Sequence, residues 1–206
     1  MLAGALALIS GAAAAPIEVA TPHTSLVIDA TEGAELKQMY YGDRLSAADL
    51  AALANAGGAT YAAYPVYGMN CQGETALAVK HADGNMSLQM AVDNVTTATE
   101  GNATVTRVSM KDKVYPFYVD VCYRAYNDVD IIETWTEIRH DEKGKVALNQ
   151  FASGYLPIRR GTVWLSSLYG AWANEGRLLQ EPLEPGMKVI KNKDGIRNCL
   201  LYTSPS

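Results

Sequence analysis

From Val114 to Tyr126 apolar and polar side chains alternate along the chain. Tyr115, Phe117, Val119, Val121 and Tyr123 fall on one side, and Pro116, Tyr118, Asp120, Cys122 and Arg124 on the other. A repeat of two is that of a strand with one face in a core. The first set is therefore expected to be one buried face, with Pro116 placing the strand's start at an edge or a bulge. Further strands are expected at Thr24–Ala30, Leu36–Tyr41 (closed by Gly42), Thr75–His81, Ser87–Val92, Thr104–Met110, Val129–Arg139 and Val146–Ser153. Asp83-Gly84 is a hairpin turn signal that would pair the segments at 75–81 and 87–92. Asn127-Asp128 and Asp141–Gly144 supply the next turns, and Tyr61–Tyr67 is aromatic but broken by Pro65. Near the end an aromatic strand starts at Trp164, and a last strand runs to Ile190 after Pro182, Pro185 and Gly186.

The helical pattern is confined to one place. Ser46-Ala47-Ala48-Asp49 has the spacing of a capping box, because the Asp49 carboxylate can reach back to the Ser46 amide. It opens a short Ala/Leu helix that ends at Gly57-Gly58. Many strands, one short helix and no strand–helix–strand alternation give the fold class: all-β, a large antiparallel β-sandwich with one short helix. A closed barrel is the alternative.

Length and composition fit that class. The 206 residues suffice for one large all-β domain, and 49% hydrophobic residues can supply a core. Charged residues make up 19%, the formal net charge is −5, and the longest basic run is Arg159-Arg160. Phosphate backbones need clustered Lys and Arg, so no nucleic-acid partner is expected. A neutral, hydroxyl-rich substrate is compatible with this charge.

Residues 1–15 are an apolar run ending in small residues, like the hydrophobic and cleavage regions of a secretory signal. The run is too short for a membrane span, so a periplasmic or extracellular location is expected. It lacks a basic start, which leaves open whether Met1 is the true beginning. The three cysteines, Cys71, Cys122 and Cys199, are too widely spaced for a disulfide framework or a zinc site. Cys122 reads as a buried small side chain. His23, His81 and His140 have no second ligand at metal spacing, so neither metal nor cofactor is expected. Asn85, Asn94 and Asn102 head glycosylation sequons, which carry meaning only in a eukaryotic secretory pathway.

Several segments carry a resemblance. In order they are Leu36-Lys37-Gln38-Met39-Tyr40-Tyr41-Gly42, Tyr64-Pro65-Val66-Tyr67-Gly68, His81-Ala82-Asp83-Gly84-Asn85, Lys111-Asp112-Lys113-Val114-Tyr115 and Trp135-Thr136-Glu137-Ile138. Gly170-Ala171-Trp172-Ala173-Asn174-Glu175 follows, matching a G-x-W-A-x-E pattern. From about Ser25 to Asn198 the chain resembles the N-terminal supersandwich domain of bacterial family 36 glycoside hydrolases, the α-galactosidases. The resemblance implies an accessory β-sandwich at residues 16–198, after the leader. Residues 199–206 do not continue the pattern and read as a non-native tail. It also implies a partner: a catalytic (β/α)8 barrel in the same polypeptide, whose two aspartates cleave terminal α-galactosides with retention. A homo-oligomer is a further implied possibility. On this reading no catalytic residue lies in this chain, which is inactive alone. The rival from another class is a stand-alone secreted carbohydrate-binding or adhesion module.

The resemblance also marks candidate sites. In many members an acidic residue shortly after Y-P-x-Y-G reaches the substrate pocket, in a D-x-R pattern. Here Cys71 occupies that position and the pattern is C-x-G, so Asn70, Cys71 and Gln72 are the substrate-rim candidates. Asn70 or Gln72 would supply a replacement hydrogen bond, or the loop is structural. Asp128 and Asp130 read as solvated turn residues, and Glu133 and Glu137 as a solvent face or sheet hydrogen bonding. Trp135 and Trp164, inside strand patterns, read as core. Trp172, near a strand end, and Tyr169 are the domain-interface candidates.

Overall fold

Short runs of β-branched and aromatic residues punctuated by turns form antiparallel sheets. The computed structural model describes residues 16–56, 60–69, 71, 73–158, 161–171, 174–184 and 186–190. The chain divides into two compact units, one up to Pro157 and one from Ile158.

In the first unit, β1 (Ile17–Ala20), β2 (Thr24–Asp29), β3 (Lys37–Asp43) and β4 (Tyr61–Ala62) form a sheet in that order. The helix α1 (Ala47–Ala56) lies between β3 and β4 in the chain. Its start is the expected capping box. The Ser46 amide donates to Asp49 Oδ2 at 3.2 Å, and the Asp49 amide donates to Ser46 Oγ at 3.2 Å. Gly42 does not close β3 but pairs with Ser25 inside it, and Tyr40 folds over the space a Cβ would fill.

Next come β5 (Leu77–Lys80), β6 (Met90–Glu100), β7 (Ala103–Asp112), β8 (Phe117–Tyr126), β9 (Ile132–His140) and β10 (Ala147–Phe151). The second four-stranded sheet has the order β6-β7-β8-β9, and β5 pairs with β10. All these pairings are antiparallel. Two expectations change here. The Asp83-Gly84 turn exists, with Gly84 at φ +92°, but it does not close a hairpin between 75–81 and 87–92. The chain instead crosses to the other sheet, where Leu88, Met90 and Val92 enter the common core. The second change is the length of β6, which runs past the expected end at Val92 to Glu100. It ends in a two-residue turn at Gly101-Asn102, with Gly101 at φ +59°, a signal that was present in the sequence.

Between the layers lies one core. Leu26 and Ile28 of β2, Leu77 and Val79 of β5, Val108 and Met110 of β7, and alternate residues of β8 meet in a single cluster. Phe117, Val119, Val121 and Tyr123 are buried as the alternation predicts, and Tyr115 packs against the same cluster at its margin. β8 begins directly after Pro116, so the proline sets its start. Each large side chain buried this way contributes about 1.5–3 kcal/mol. Asp130 is not merely a solvated turn residue. Its carboxylate accepts from the Thr21 hydroxyl at 2.8 Å and the His23 amide at 2.7 Å, tying the β8–β9 turn to the β1–β2 turn.

The second unit is built on one antiparallel pair, β11 (Trp164–Ala171) and β12 (Asn174–Pro182). The expected strand up to Ile190 is absent among the described residues: Met187–Ile190 is irregular, and the partner of β11 is the segment ending at Pro182.

Candidate functional site

The Tyr64–Gly68 segment is held by its own chemistry. Buried Tyr64 donates its hydroxyl to the Ala152 carbonyl at 2.9 Å. The Pro65 carbonyl accepts from the Ala76 amide at 2.7 Å, and Val66 is fully buried. Tyr67 bonds through both backbone groups, to Leu77 O and from Leu88 N at 2.9 Å each. Gly68 has φ +103°, and a Cβ there would lie 2.7 Å from backbone atoms of Ser87 and Leu88. Only glycine fits both constraints. The motif therefore locks the loop's departure point between β5 and the start of β6.

Cys71 sits on the loop that follows, partly buried. Its amide donates to Met69 O at 2.6 Å, and its thiol faces the carbonyls of Gly73 and Glu74 at 3.6 and 3.8 Å. Those contacts turn the side chain toward its own loop. Asn70 and Gln72 lie outside the described residues.

The His81–Asn85 turn is a tied structure as well. His81 is buried, stacks on Tyr115 at 3.7 Å and meets Phe117 edge-on at 5.9 Å. Its Nδ1 lies 2.7 Å from Glu142 Oε1, and the Ala82 amide donates to Glu142 Oε2 at 3.0 Å. Burial pushes the Glu142 carboxyl up, but the hydrogen bonds from His81 and Ala82 outweigh it and hold it below the usual range. An ionised carboxylate only accepts, so His81 Nδ1 carries the proton. Nothing in the sequence pattern pointed to Glu142, which lies 61 positions from His81.

On the outer face of the β6–β9 sheet the acids are bound in ion pairs. Arg107 reaches Asp120 and Glu137, each at 2.8 Å, and Arg124 reaches Glu133 at 3.0 Å and Glu100 at 3.1 Å. The Arg107 bond, helped by the Trp135 indole N–H, holds the Glu137 carboxyl down at about 2. A general acid needs the opposite shift. Glu133 and Glu137 are therefore sheet hydrogen-bonding residues. Trp135 is not core: its indole donates to Glu137 at 3.0 Å and the Arg124 guanidinium lies 5.1 Å above its ring. The register explains the error, since Trp135 stands opposite Cys122 on the outward face. Cys122 is fully buried there, and burial pushes its thiol up to about 11, so it stays neutral and unreactive. Among the described residues no group of three His, Cys, Asp or Glu is placed to hold a metal.

In the second unit, Tyr169 lies on β11 with its backbone opposite Arg177, and Trp172 lies outside the described residues. Trp164 is not core but 60% exposed. Leu168, Leu178, Leu179 and Leu183 are exposed with it. The signal was legible: Trp164, Leu165 and Leu168 put apolar groups on both faces of β11, which a two-stranded pair cannot cover by itself.

Comparison with known proteins bears on this geometry. Residues 34–200 match the model of the glycosyl hydrolase family 36 N-terminal domain. No curated protein matches the chain closely enough to count as a relative. Among solved structures, an α-galactosidase from Lactobacillus brevis is similar at a TM-score of 0.71 and 22% identity, over 84% of this chain and 28% of that one. The galactosidase domain of an α-galactosidase-sucrose kinase is similar at 0.71 and 20%, over 84% and 28%. The family 36 α-galactosidase AgaB from Geobacillus stearothermophilus is similar at 0.71 and 15%, over 95% and 31%. At these identities the likeness shows the fold, and the chain spans about 30% of the length of such enzymes.

Proposed function

Because the chain belongs to the glycosyl hydrolase family 36 N-terminal domains, we propose that it is the accessory β-sandwich of an α-galactosidase-like glycosidase. In this reading the parent enzyme hydrolyses terminal α-galactosyl bonds, with both catalytic carboxylates on a barrel in the same polypeptide. The observation that carries it is the coverage: the matches take in 84–95% of this chain and under a third of each solved chain. The electrostatics of the described residues support the division of labour. The acids at 133 and 137 are ion-paired, and Glu137 is held in the state a general acid cannot use.

The exposed apolar residues of β11 and β12 are the surface by which the accessory domain meets the rest of the enzyme. Tyr169 and Trp172 belong to the same segment and remain its interface candidates. The leader at residues 1–15 directs export, placing the enzyme in the periplasm or outside the cell.

The test compares two proteins on an aryl α-galactoside. The chain by itself is expected to leave the substrate intact, and the chain extended through the genomic sequence beyond Asn198 to release the aryl group. Turnover by the chain alone that disappears on mutating one of its residues would overturn the reading. So would a stop codon directly after Asn198 in undisturbed genomic sequence.

A further inference from the structure

One cavity in the first unit is not accounted for by any motif above. It has a volume of about 290 Å³ and is lined by Leu26, Gln38, Tyr41, Tyr123, Ile132, Thr134, Gly154, Tyr155 and Leu156. Two of its polar groups are held in place with hydrogen-bonding capacity left over. Tyr123 is only 4% exposed, and its hydroxyl has no hydrogen-bond partner among the described residues. Burial pushes that hydroxyl's ionisation up, so it keeps its proton and remains a donor. Gln38 is also buried, and its Nε2 donates to Pro157 O at 2.8 Å. That bond fixes the amide orientation and leaves Oε1 as a free acceptor. Thr134 adds a hydroxyl at the rim, close against Gly154, where a side chain would collide with it.

Tyr123 thus presents the cavity with a hydroxyl that no group among the described residues engages, which leaves it available to a ligand. The lining states which kind. It contains no charged side chain, so a phosphate, carboxylate or ammonium would lose its hydration with nothing in return. Three tyrosine rings and three aliphatic side chains offer flat apolar surface, while Tyr123, Gln38 and Thr134 offer one donor, one acceptor and one group that is both. The volume lies at the lower end of ligand pockets, which suits a single ring.

We propose that this cavity binds one neutral pyranose unit, its C–H face against the tyrosine rings and its hydroxyls on Tyr123, Gln38 and Thr134. The site would be a carbohydrate-anchoring subsite on the sandwich itself. It does not rest on the accessory-domain reading, because every lining residue belongs to this chain.

The full chain is titrated with galactose, glucose, galacturonate and sorbitol, followed by saturation-transfer NMR and calorimetry. Saturation should pass to the ring protons of at least one neutral pyranose, and the acyclic sorbitol should bind more weakly. Galacturonate should bind at least about tenfold more weakly than galactose, since its carboxylate finds no partner. Tyr123→Phe should weaken sugar binding about fivefold, the effect of one neutral hydrogen bond, with the melting temperature unchanged or raised. Tyr41→Ala, at a half-exposed position, should weaken it as well without a loss of fold. No transfer to any neutral sugar, equal affinity for galacturonate, or full affinity in Tyr123→Phe would overturn the site. Each of those failures leaves the accessory-domain reading standing, because that reading is judged by the activity of the extended chain.

Discussion

Two antiparallel hairpins in this chain have similar length and opposite surroundings. β7 and β8 have ten residues each, and β11 and β12 have eight and nine. β7–β8 is rich in the β-branched and aromatic types that favour strands, whereas β11–β12 has only Trp164 and Tyr169 of them. β7–β8 has β6 and β9 along its edges and another layer across its inner face, so Phe117, Val119 and Val121 are almost wholly buried. Among the described residues β11–β12 pairs with no further strand, and Trp164, Leu168, Leu178 and Leu179 stay exposed. A strand forms with or without strong propensity, and its neighbours decide what its side chains are worth. An apolar side chain is buried and stabilising in the first hairpin and stays in contact with water in the second.

Truncating one side chain in each hairpin separates the two most widely. Phe117→Ala should cost about 3–5 kcal/mol, from lost burial and the cavity left behind. Leu178→Ala should stay within about 0.5 kcal/mol, as for a surface residue. Denaturant melts of the two variants check this, and similar losses would mean that the second hairpin has a core of its own.

How far the sequence reached follows from the same contrast. β8 was legible down to its register because strict alternation and a buried face are the same fact. The capping box before α1 was legible because its two hydrogen bonds need only four consecutive residues. What failed was everything set by a distant partner. Trp135 looked like core because a large ring within a strand usually is, but its register with Cys122 puts it on the outward face under Arg124. The β5–β10 pairing joins segments about 70 residues apart, and no local turn could announce it. Glu142 under His81 and Asp130 under Thr21 and His23 are hidden for the same reason. The loop at Asn70–Gln72 was found only by its place after Tyr64–Gly68, and Cys71 turns out to face its own loop carbonyls.

Acid acts on the first unit on a smaller scale. Hydrogen bonds from Arg107 and then Trp135 lower the Glu137 carboxyl from 4.5 to about 2. A carboxyl depressed in the folded state supports folding once it is ionised. That support is complete above pH 4.5 and is withdrawn as pH falls toward about 2. Half-exposed ion pairs are screened by solvent, so the effect is modest for Glu137 alone. His81 and the Ala82 amide hold Glu142 low, and His23 and Thr21 do the same for Asp130, so all three act in the same direction within the first unit. The melting temperature of that unit should fall between pH 4.5 and 2, and Glu137→Gln should make the fall shallower. An unchanged acid profile in Glu137→Gln would remove Arg107–Glu137 from the stabilising pairs.

The smallest expected effect is the one that decides what the second hairpin is for. Trp164 is 60% exposed at the start of β11, opposite Pro182. Removing a ring that is mostly in water forfeits little burial, so Trp164→Ser should leave the melting temperature of the chain nearly unchanged. Apolar area of this kind promotes association when nothing covers it. The variant should therefore be more soluble and less self-associated at equal concentration, by light scattering or sedimentation. In an extended enzyme the sign reverses. If the rest of the polypeptide seats on this surface, Trp164→Ser removes part of a buried contact and lowers the stability of the whole. A substitution that is silent or beneficial in the chain alone and harmful in the extended protein identifies an interface. A large loss of stability in the chain alone would instead return Trp164 to the core and erase the contrast between the two hairpins.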